Sequence, residues 1–495
     1  MKARDSVCLG ILATIFLFYL LTIRSGQPWP DDFAMYIQEA KNLVDHTPIQ
    51  HTNYLYDPYN PALGPRLYPP IFPLLLTPGY FVGGLTDLVP MQIEIVVFFT
   101  GILIVLWRGL GQELPPFEQA ALLVIVGFNP VLWAFKDSIV SDIPFTFLLY
   151  LTLFLANDIT KDLTSKAWRI WKTLGLALLV YLCYGTRTVG IVLVPALLLC
   201  GFLYKRRNGG RQLITAGLLA IVPCWIQSRV FTGDGYGDQL RLGVLGFIQT
   251  FVHNLVIYAW SFAGFWANPY TKVLRDLIFA ALTFLVLLAY LHRIRTGMRI
   301  YEIFAPLYMI VILLFPYPGG ARYLIPIFPL FVCYFLEGIE ILRCYRMPVS
   351  RKTVLIPLLL LVLFSYGTDF VHSTFGPFRD GIEKPESKEL FAFIRTQTSP
   401  GDVFIFRRPR ALGLFTGRSA AVYPVTGDKY SVYFRNVHAD YFIEAPALDD
   451  AAFDAFLAND CLSKRRVFIN ADFSVFRITQ ADLAACGNVA TASTH

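Results

Sequence analysis

Long apolar runs separated by short polar segments dominate the first three quarters of the chain. A helix that crosses the roughly 30 Å hydrocarbon core of a membrane needs about 20 apolar residues. The runs that approach this length span residues 6–24, 90–108, 118–135, 142–157, 171–186, 188–204, 212–229, 273–291, 300–316, 322–341 and 352–368. This pattern predicts an α-helical polytopic membrane protein with about 11 transmembrane helices, and the fifth and sixth runs are also compatible with one broken helix.

Basic residues predict how these helices are oriented. Lys2 and Arg4 precede the first run. Further basic residues fill every second loop, in 161–172, 205–211, 293–299 and 343–352. Cytoplasmic loops carry such an excess of Lys and Arg, so the N-terminus is predicted to lie inside and the C-terminus outside. No A-x-A-like cleavage site follows the first run, so we expect a retained anchor in a bacterial inner or plasma membrane.

Composition agrees with a membrane protein and narrows the range of partners. Of the 495 residues, 55% are hydrophobic and 16% are charged, whereas a soluble domain carries roughly 25% charged residues. The net charge of +7 would suit an anionic partner, but most basic residues lie in short loops, where they set topology and meet anionic lipid. We therefore expect membrane lipids, and not nucleic acid, as partners.

Near Thr368 the composition changes to that of a soluble domain. Its periodicity predicts helix 387–396, strand 403–406, helix 411–416, helix 449–459 and strand 466–470. This alternation indicates a small α/β domain at 368–495, after a transmembrane domain at 1–367. The tail has no nucleotide-binding or nucleophile motif, so we interpret it as a capping or stabilising domain. Cys461 and Cys486 can pair there in an oxidising compartment.

The first external loop, 24–90, contains two adjacent carboxylates, Asp31 and Asp32, immediately before a helical pattern. Either aspartate can cap that helix, and Asp32 is the preferred cap because it lies nearer to the first turn. The alternative is a chemical role for one of them. Several prolines in the middle of the loop exclude an uninterrupted spanning helix, so 68–90 is predicted to form an interfacial helix. We also assign 229–268 to an external loop with an amphipathic, aromatic second half.

Charged residues beside or within spans are costly, so those not explained by cytoplasmic anchoring are functional candidates. They are Asp31, Asp32, Glu39, Arg66, Lys136, Asp137, Asp142, Arg187, Arg229, Asp234, Asp238, Arg241 and Arg322. All lie on the predicted outer face. Such a group suits a reaction in which a carboxylate accepts a hydroxyl proton while Arg and Lys hold a phosphate leaving group. For each single arginine, anchoring to lipid headgroups is the competing interpretation.

Four motifs, in order and with the expected sidedness, resemble the GT-C glycosyltransferase superfamily. They are Asp31-Asp32, Tyr68-Pro69-Pro70, Ser141-Asp142-Ile143-Pro144 and Arg322-Tyr323-Leu324-Ile325-Pro326. The resemblance covers residues 1–345 and is nearest to the bacterial branch that includes protein O-mannosyltransferases and lipid A aminoarabinose transferases. It implies transfer of a sugar from a polyprenyl-phosphate donor to an acceptor at the extracytoplasmic face.

The resemblance also implies roles for individual residues. Asp31 or Asp32 would act as general base or orient the acceptor, Asp142 would support the site, and Arg322 would hold the donor phosphate. We further expect Arg187, Lys136 and Arg66 at the donor phosphate. Tyr36, Tyr68 and Tyr323 are expected at the acceptor.

Two features leave parts of this interpretation open. The chain has Asp-Asp where many members have Asp-Glu, so the catalytic carboxylate is not assigned. The span number and the α/β tail differ from other members, so the acceptor is a glycan, a lipid or a protein. Asp31, Asp32 and Asp142 offer hard oxygen ligands for a divalent metal, but we expect no metal, because Arg and Lys can neutralise a single lipid phosphate. The alternative function is a secondary transporter or flippase.

Overall fold

The structure of this protein is a computed structural model. It describes residues 3–29, 31–161, 166–204, 208–231, 243–266, 272–344, 351–458, 464–481 and 483. Several sequence predictions lie outside these residues. They concern Asp234, Asp238, Arg241, the basic residues at 205–207, and the pairing of Cys461 with Cys486.

The chain folds as two compact units, and each one is assembled from separate parts of the sequence. The membrane unit comprises Met1–Ile23, Gln92–Val230 and Leu242–Phe375. The sheet unit comprises Arg24–Met91, Phe231–Arg241 and Gly376–His495. The first external loop and the tail therefore belong to the same unit, although the sequence placed residues 24–90 with the transmembrane domain.

The described helices are α1 (Ala3–Leu21), α2 (Asp32–Val44), α3 (Ile71–Gly83), α4 (Val89–Arg108), α5 (Pro116–Gly127), α6 (Pro130–Phe135), α7 (Asp142–Lys161), α8 (Lys166–Thr186), α9 (Leu193–Leu203), α10 (Asn208–Val230), α11 (Val244–Ala263), α12 (Lys272–Thr296), α13 (Ile300–Leu314), α14 (Ala321–Leu324), α15 (Phe328–Cys344), α16 (Arg351–His372), α17 (Pro385–Gln397), α18 (Pro409–Thr416), α19 (Tyr430–Asn436) and α20 (Ala451–Leu457).

The membrane unit is helical, as the apolar runs predict. Among the described residues, six helices are long and apolar enough to cross a membrane by length and composition. The first, Val89–Glu113, comprises α4 and the 3-10 turn after it, and the others lie within α7, α10, α11, α12 and α16. Apolar helices of 10–17 residues also occur, at Asp5–Leu21, Ile71–Gly83, Pro116–Gly127, Thr188–Leu203 and Ile300–Leu314. The chain is thus a polytopic helical membrane protein, and the number of about 11 spans stays a prediction.

One predicted span, 118–135, is in fact two helices that meet at Asn129. The Asn129 side chain accepts hydrogen bonds from the backbone N–H groups of Val131 (3.1 Å) and Leu132 (3.3 Å). It thereby caps α6, and Pro130 occupies the first turn, where its missing N–H costs nothing. The prediction of one continuous helix was wrong because the apolar composition of the run does not reveal that Asn129 caps a new helix within it.

The segment after α10 also differs from its prediction as an external loop. Val244–Ala263 is a 20-residue helix and is one of the helices apolar enough to cross a membrane. Val244, Ile248 and Val252 lie on its exposed side, whereas Asn254 is buried and donates to the carbonyl oxygens of Leu313 (3.0 Å) and Phe315 (2.7 Å). The predicted amphipathic pattern is present, but it extends over a full-length helix.

The sheet unit is built on six strands in the order β1-β3-β2-β4-β6-β5. These strands are β1 (Tyr54–Leu55), β2 (Val403–Ile405), β3 (Ser419–Ala421), β4 (Tyr441–Glu444), β5 (Arg465–Ile469) and β6 (Ser474–Arg477). The neighbours β1-β3, β3-β2 and β2-β4 are parallel, and the remaining two pairs are antiparallel. Strand β1 comes from the first external loop, so this loop contributes one edge of a sheet otherwise formed by the tail.

Side chains reinforce this joint folding of loop and tail. The Trp29 indole lies edge-on to the rings of Phe391, Phe406 and Phe473, with centroids 5.8–6.2 Å apart. Gly381 has a φ of +121°, and an added Cβ there would lie 2.1 Å from the carbonyl oxygen of Gln27. Only glycine fits this close approach, which aligns the start of the loop with the start of the tail.

The five tail elements predicted from periodicity are confirmed to within a few residues as α17, β2, α18, α20 and β5. The sequence did not predict β3, α19, β4 or β6. These elements are short, from three to seven residues.

Candidate functional site

Asp31 holds the N-terminus of a helix that lies 379 residues further along the chain. Its two carboxylate oxygens accept hydrogen bonds from the backbone N–H groups of Arg410 (3.2 Å) and Ala411 (3.0 Å), in the first turn of α18. The N-cap residue Arg408 makes no side-chain cap, so Asp31 takes over that function. Asp31 is buried at 4% exposure, and both of its oxygens are already engaged.

Asp32 does not cap its own helix, so that prediction was wrong. It is the first residue of α2, which has no side-chain cap. Instead, Asp32 accepts a hydrogen bond from the Tyr68 hydroxyl (2.6 Å) and pairs with the Arg410 guanidinium (3.3 Å). The Asp32 side chain is 27% exposed, whereas that of Arg410 is 1% exposed. Asp32 is therefore partly accessible, and its partner Arg410 is buried.

Arg410 lies at the centre of a cluster of polar side chains that also contains Asp32 and Tyr68. Its guanidinium donates to the Tyr68 hydroxyl (2.8 Å) and to the carbonyl oxygen of Pro65 (2.9 Å), in addition to Asp32. Burial by itself lowers the pKa of Arg410, but Tyr68, Tyr54 and the two aspartates outweigh it and raise the pKa above its ordinary value. The guanidinium thus stays charged in a water-poor site, where its hydrogen bonds to charged groups are strong.

Burial raises the pKa of two nearby carboxyl groups. The pKa of Asp31 rises to about 6, even though Arg410 and the two N–H groups lower it. Glu39 on α2 is fully buried, and its pKa rises well above the ordinary value. One Glu39 oxygen accepts from the Tyr68 backbone N–H at 2.8 Å. The polar core around Tyr68 therefore combines a fixed positive charge with carboxyl groups that protonate easily.

The two other residues expected in this region lie at its margin. Tyr36 is buried, and its ring stacks on that of Tyr68 with centroids 4.4 Å apart. Arg66 is exposed, with its guanidinium 5.7 Å from the centroid of the Tyr56 ring. Tyr36 thus fixes the position of Tyr68, while Arg66 faces solvent.

The membrane unit contains a second charged group, in which two arginines share one carboxylate. Asp142, the first residue of α7, is buried. One of its oxygens pairs with the Arg187 guanidinium, and the other accepts from Nε of Arg322 at 2.6 Å. The Arg187 and Arg322 side chains are 16% and 25% exposed. Two guanidinium groups thus converge on one carboxylate, at side chains that remain partly exposed.

Tyr323 contributes an aromatic face to this charged group. The Arg187 guanidinium lies 5.2 Å from the centroid of the Tyr323 ring, and the Tyr323 carbonyl oxygen accepts from the Tyr308 hydroxyl at 2.9 Å. The predicted residues Asp142, Arg187, Arg322 and Tyr323 are thus brought together within one unit.

Lys136 also belongs to the membrane unit. It is 1% exposed and pairs with Asp137 at 2.7 Å, and its ammonium lies 4.0 Å from the centroid of the Trp133 ring. Because a buried cation needs such partners, this environment accounts for Lys136 without a ligand. Its expected role at the donor phosphate stays a prediction.

Within the described ranges, no group of three or more His, Cys, Asp or Glu side chains is arranged to hold a metal ion. The expectation of a metal-independent reaction stays a prediction.

Solved structures with a similar fold were found by comparison. ArnT from Cupriavidus metallidurans, bound to undecaprenyl phosphate, matches with a TM-score of 0.53 and 11% identity, over 96% of this chain and 97% of that one. AglB, the archaeal oligosaccharyltransferase from Archaeoglobus fulgidus, in complex with an inhibitory peptide and a dolichol-phosphate, matches with a TM-score of 0.58 and 11% identity. That match covers 90% of this chain and 70% of the other.

The chain has the GT-C glycosyltransferase fold. The resemblance inferred from the four motifs is confirmed at the level of the fold. No protein-family model matches the sequence, and no curated protein matches it significantly. At 11% identity, the similarity shows the architecture and does not assign roles to individual residues.

Arg410 is the residue at the candidate site that sequence reasoning missed. The tail was interpreted as a domain without chemistry, yet its arginine contacts Asp32 and Tyr68 directly. The one available signal was the run Arg407-Arg408-Pro409-Arg410, directly after the predicted strand 403–406. A basic cluster at the carboxyl end of a strand favours an anion or a carboxylate, but it does not say which one.

Proposed function

We propose that this protein is a membrane glycosyltransferase that moves a sugar from a polyprenyl-phosphate donor to an acceptor at the extracytoplasmic face. The observation that carries the proposal is the pair Arg187 and Arg322 on the single carboxylate of Asp142, within a chain that has the GT-C fold. The solved structures with this fold include ArnT bound to undecaprenyl phosphate and AglB with a dolichol-phosphate.

Arg187 and Arg322 hold the donor phosphate in this proposal. A guanidinium carries five N–H donors in a planar fork, and this fork matches the oxygens of a phosphate. Asp142 fixes the two side chains in place and balances one of their charges, so the phosphate binds to an arrangement that already exists. The positive charge becomes more favourable as the phosphate leaves the sugar, because negative charge builds up on the bridging oxygen.

Asp32 accepts the proton of the acceptor hydroxyl. The acceptor oxygen forms a bond to the anomeric carbon while the bond from that carbon to the phosphate oxygen breaks and its electron pair stays on the phosphate. The products are the glycosylated acceptor, a polyprenyl phosphate and a protonated Asp32. A single displacement of this kind inverts the anomeric carbon. Asp31 serves as an anchor for α18, because both of its oxygens already accept backbone N–H groups.

The acceptor is a glycan, a lipid or a protein in this proposal, and the sugar is not specified by the residues discussed. The alternative function of a transporter or flippase is less well supported, because the matched solved structures include transferases and the charged residues form two polar groups suited to acid–base and phosphate chemistry.

The proposal is tested by transfer from membrane preparations supplied with a set of undecaprenyl-phosphate-linked sugars, with glycans read by mass spectrometry. Asp32→Asn is expected to lower the rate by about 100-fold or more. Arg187→Met and Arg322→Met are each expected to lower it by about 100-fold. Arg229→Met is the matched control, since Arg229 is exposed and its guanidinium lies 5.7 Å from the centroid of the Trp225 ring.

Asp31→Asn separates anchoring from chemistry at the neighbouring carboxylate. It is expected to lower thermal stability, by about 1 kcal/mol as for the loss of a helix cap, while the folded fraction stays active.

Unchanged transfer in Asp32→Asn would remove the base from the mechanism. Equal loss in Arg229→Met and Arg322→Met would show that diffuse surface charge, and not the arginine pair held by Asp142, attracts the donor.

A further inference from the structure

An open groove of about 410 Å³ lies between α8 and α10 in the membrane unit. It is lined by Arg169, Ile170, Thr173, Leu174, Arg211, Gln212, Thr215 and Leu219. Both helices begin next to loops that the positive-inside rule assigns to the cytoplasm. The groove therefore belongs to the opposite membrane face from the one proposed for sugar transfer.

The chemistry of the groove changes with depth in a regular way. Arg169 and Arg211 stand in the first turn of their helices, and Thr173 and Thr215 follow one turn later. Leu219 follows Thr215 by another turn, so the distance from Arg211 to Leu219 along the axis is about 12 Å. Ile170 and Leu174 directly follow Arg169 and Thr173, so aliphatic side chains accompany the guanidinium and hydroxyl groups, and Leu219 extends the aliphatic lining one turn deeper.

The two arginines face the groove without a visible counter-charge. None of the described side chains that line it is acidic, and the nearby carboxylate of Asp158 pairs with Lys172 at 2.7 Å. The threonine hydroxyls donate to the carbonyl oxygens of Arg169 and Arg211, each at 2.9 Å, within their own helices. The guanidinium groups are therefore the strongest hydrogen-bond donors in the groove, and an anion is the ligand complementary to them.

The aliphatic lining of the groove argues against a soluble anion as the natural occupant. Ile170, Leu174 and Leu219 are 54%, 45% and 44% exposed, and Leu219 lies about 12 Å deeper than Arg211 along the helix axis. A molecule that satisfies both the guanidinium groups and this aliphatic lining has a phosphate at one end and an acyl chain at the other. We infer that the groove binds one anionic phospholipid from the cytoplasmic leaflet, with its phosphate between Arg169 and Arg211 and an acyl chain along Leu174 and Leu219.

Native mass spectrometry of the full chain, titrated with phosphatidylglycerol or phosphatidylcholine of equal acyl chains, tests this inference. We expect phosphatidylglycerol to bind about 25-fold more tightly than phosphatidylcholine, roughly fivefold for each of the two arginines. Arg169→Gln and Arg211→Gln are each expected to weaken phosphatidylglycerol roughly fivefold, as expected for one basic side chain at a membrane surface. The double variant is expected to bind both lipids equally.

Arg295→Gln is the matched control, because Arg295 is exposed near the end of α12, on the same predicted membrane face, and the substitution removes the same charge. It is expected to leave phosphatidylglycerol binding unchanged. Leu219→Asn tests the aliphatic lining and is expected to weaken both lipids while the preference for phosphatidylglycerol remains.

Three results would overturn the inference. The first is equal binding of the two lipids by the unmodified chain. The second is an equal loss in Arg295→Gln and in the groove variants, which would indicate diffuse attraction by the basic loops. The third is displacement of bound phosphatidylglycerol by inorganic phosphate at millimolar concentration, which would make the groove a site for a free anion. None of these measurements depends on sugar transfer.

Discussion

At the scale of single residues, Arg410 shows how one buried charge can hold distant segments together. It contacts Asp32, Tyr68 and the Pro65 carbonyl oxygen, which all belong to the first external loop. Removing one partner of a buried ion pair is costly because the remaining charge stays buried without compensation. The same interaction keeps Asp32 and Tyr68 in a fixed geometry, as the proposed role of Asp32 as proton acceptor requires.

Asp57 provides a prediction of pH dependence at this scale. Asp57 is fully buried, and one of its oxygens accepts from the Tyr59 backbone N–H at 2.8 Å, while the other has no hydrogen-bond partner within the described structure. Burial raises its pKa to about 7, although the Tyr59 hydrogen bond lowers it. Since the folded pKa exceeds the ordinary 3.8, the stabilisation by the protonated form is complete below about pH 4 and is lost as pH rises through about 7.

Asp57→Asn is therefore expected to raise the melting temperature of the sheet unit relative to the unmodified chain at neutral pH. The difference grows between about pH 4 and pH 7, reaches roughly 3 °C or more, and is constant above that range. Scanning fluorimetry of the full chain across this pH range measures it. Asp380→Asn, at an exposed position, is the control and is expected to show no such trend. A difference independent of pH would contradict the protonation of Asp57.

At the scale of secondary-structure elements, Asn129 decides where one helix ends and the next begins. Its oxygen caps α6, and its amide nitrogen donates to the Phe265 carbonyl oxygen (2.9 Å) and to the Tyr366 hydroxyl (2.7 Å). Asn129 is completely buried. Since one side chain satisfies four groups in the membrane unit, no shorter or apolar residue can replace it.

Asn129→Ala is expected to destabilise the full chain by about 2–4 kcal/mol, from the lost cap and the buried carbonyl left without a donor. Asn129→Asp retains the cap but loses both donors, so it is expected to be at least as destabilising. Thermal unfolding in detergent measures both changes. Asn436→Ala, at an exposed position in α19, is the control. Wild-type stability in Asn129→Ala would show that water replaces the side chain at little cost.

At the scale of the whole molecule, the first loop and the tail fold as one unit. Strand β1 pairs with β3 in parallel, with Tyr54 opposite Ala420 and Leu55 opposite Ala421. The Asn60 amide donates to the Tyr423 carbonyl oxygen at 2.9 Å. A two-residue strand cannot persist alone, so the order of the first loop depends on the tail.

A chain that ends at residue 375 is therefore expected to lose the order of residues 24–91. Limited proteolysis followed by mass spectrometry is expected to cleave this loop at least about tenfold faster than in the full chain, because cleavage follows the open population. A chain that ends at residue 483, which retains all six strands, is the control and is expected to match the full chain. Equal protection of the loop in both truncated chains would show that it folds without the tail.

The sequence by itself determined the features that depend on local composition. Apolar runs indicated a membrane protein and located most of the long helices. Inside a bilayer, the backbone N–H and C=O groups must be hydrogen-bonded within the segment and the side chains must be apolar, so a spanning segment is an apolar helix. Hydrophobic periodicity and helix-terminating residues located α17, β2 and α18 in the tail. The sequence also singled out Asp142 and Arg322 as candidates, because charges beside spans are rare and costly, and the structure brings these two side chains into contact.

The tertiary structure alone decided which of these parts come together. Nothing local in Asp31 shows that it caps α18 rather than α2, and nothing in Tyr54 shows that it extends a sheet of the tail. The identity of Arg410 as the partner of Asp32 likewise depends on a contact between residues 378 positions apart. Such contacts form only when the complete unit packs. The residues that make them are far apart in the chain, so no local sequence pattern indicates the pairing.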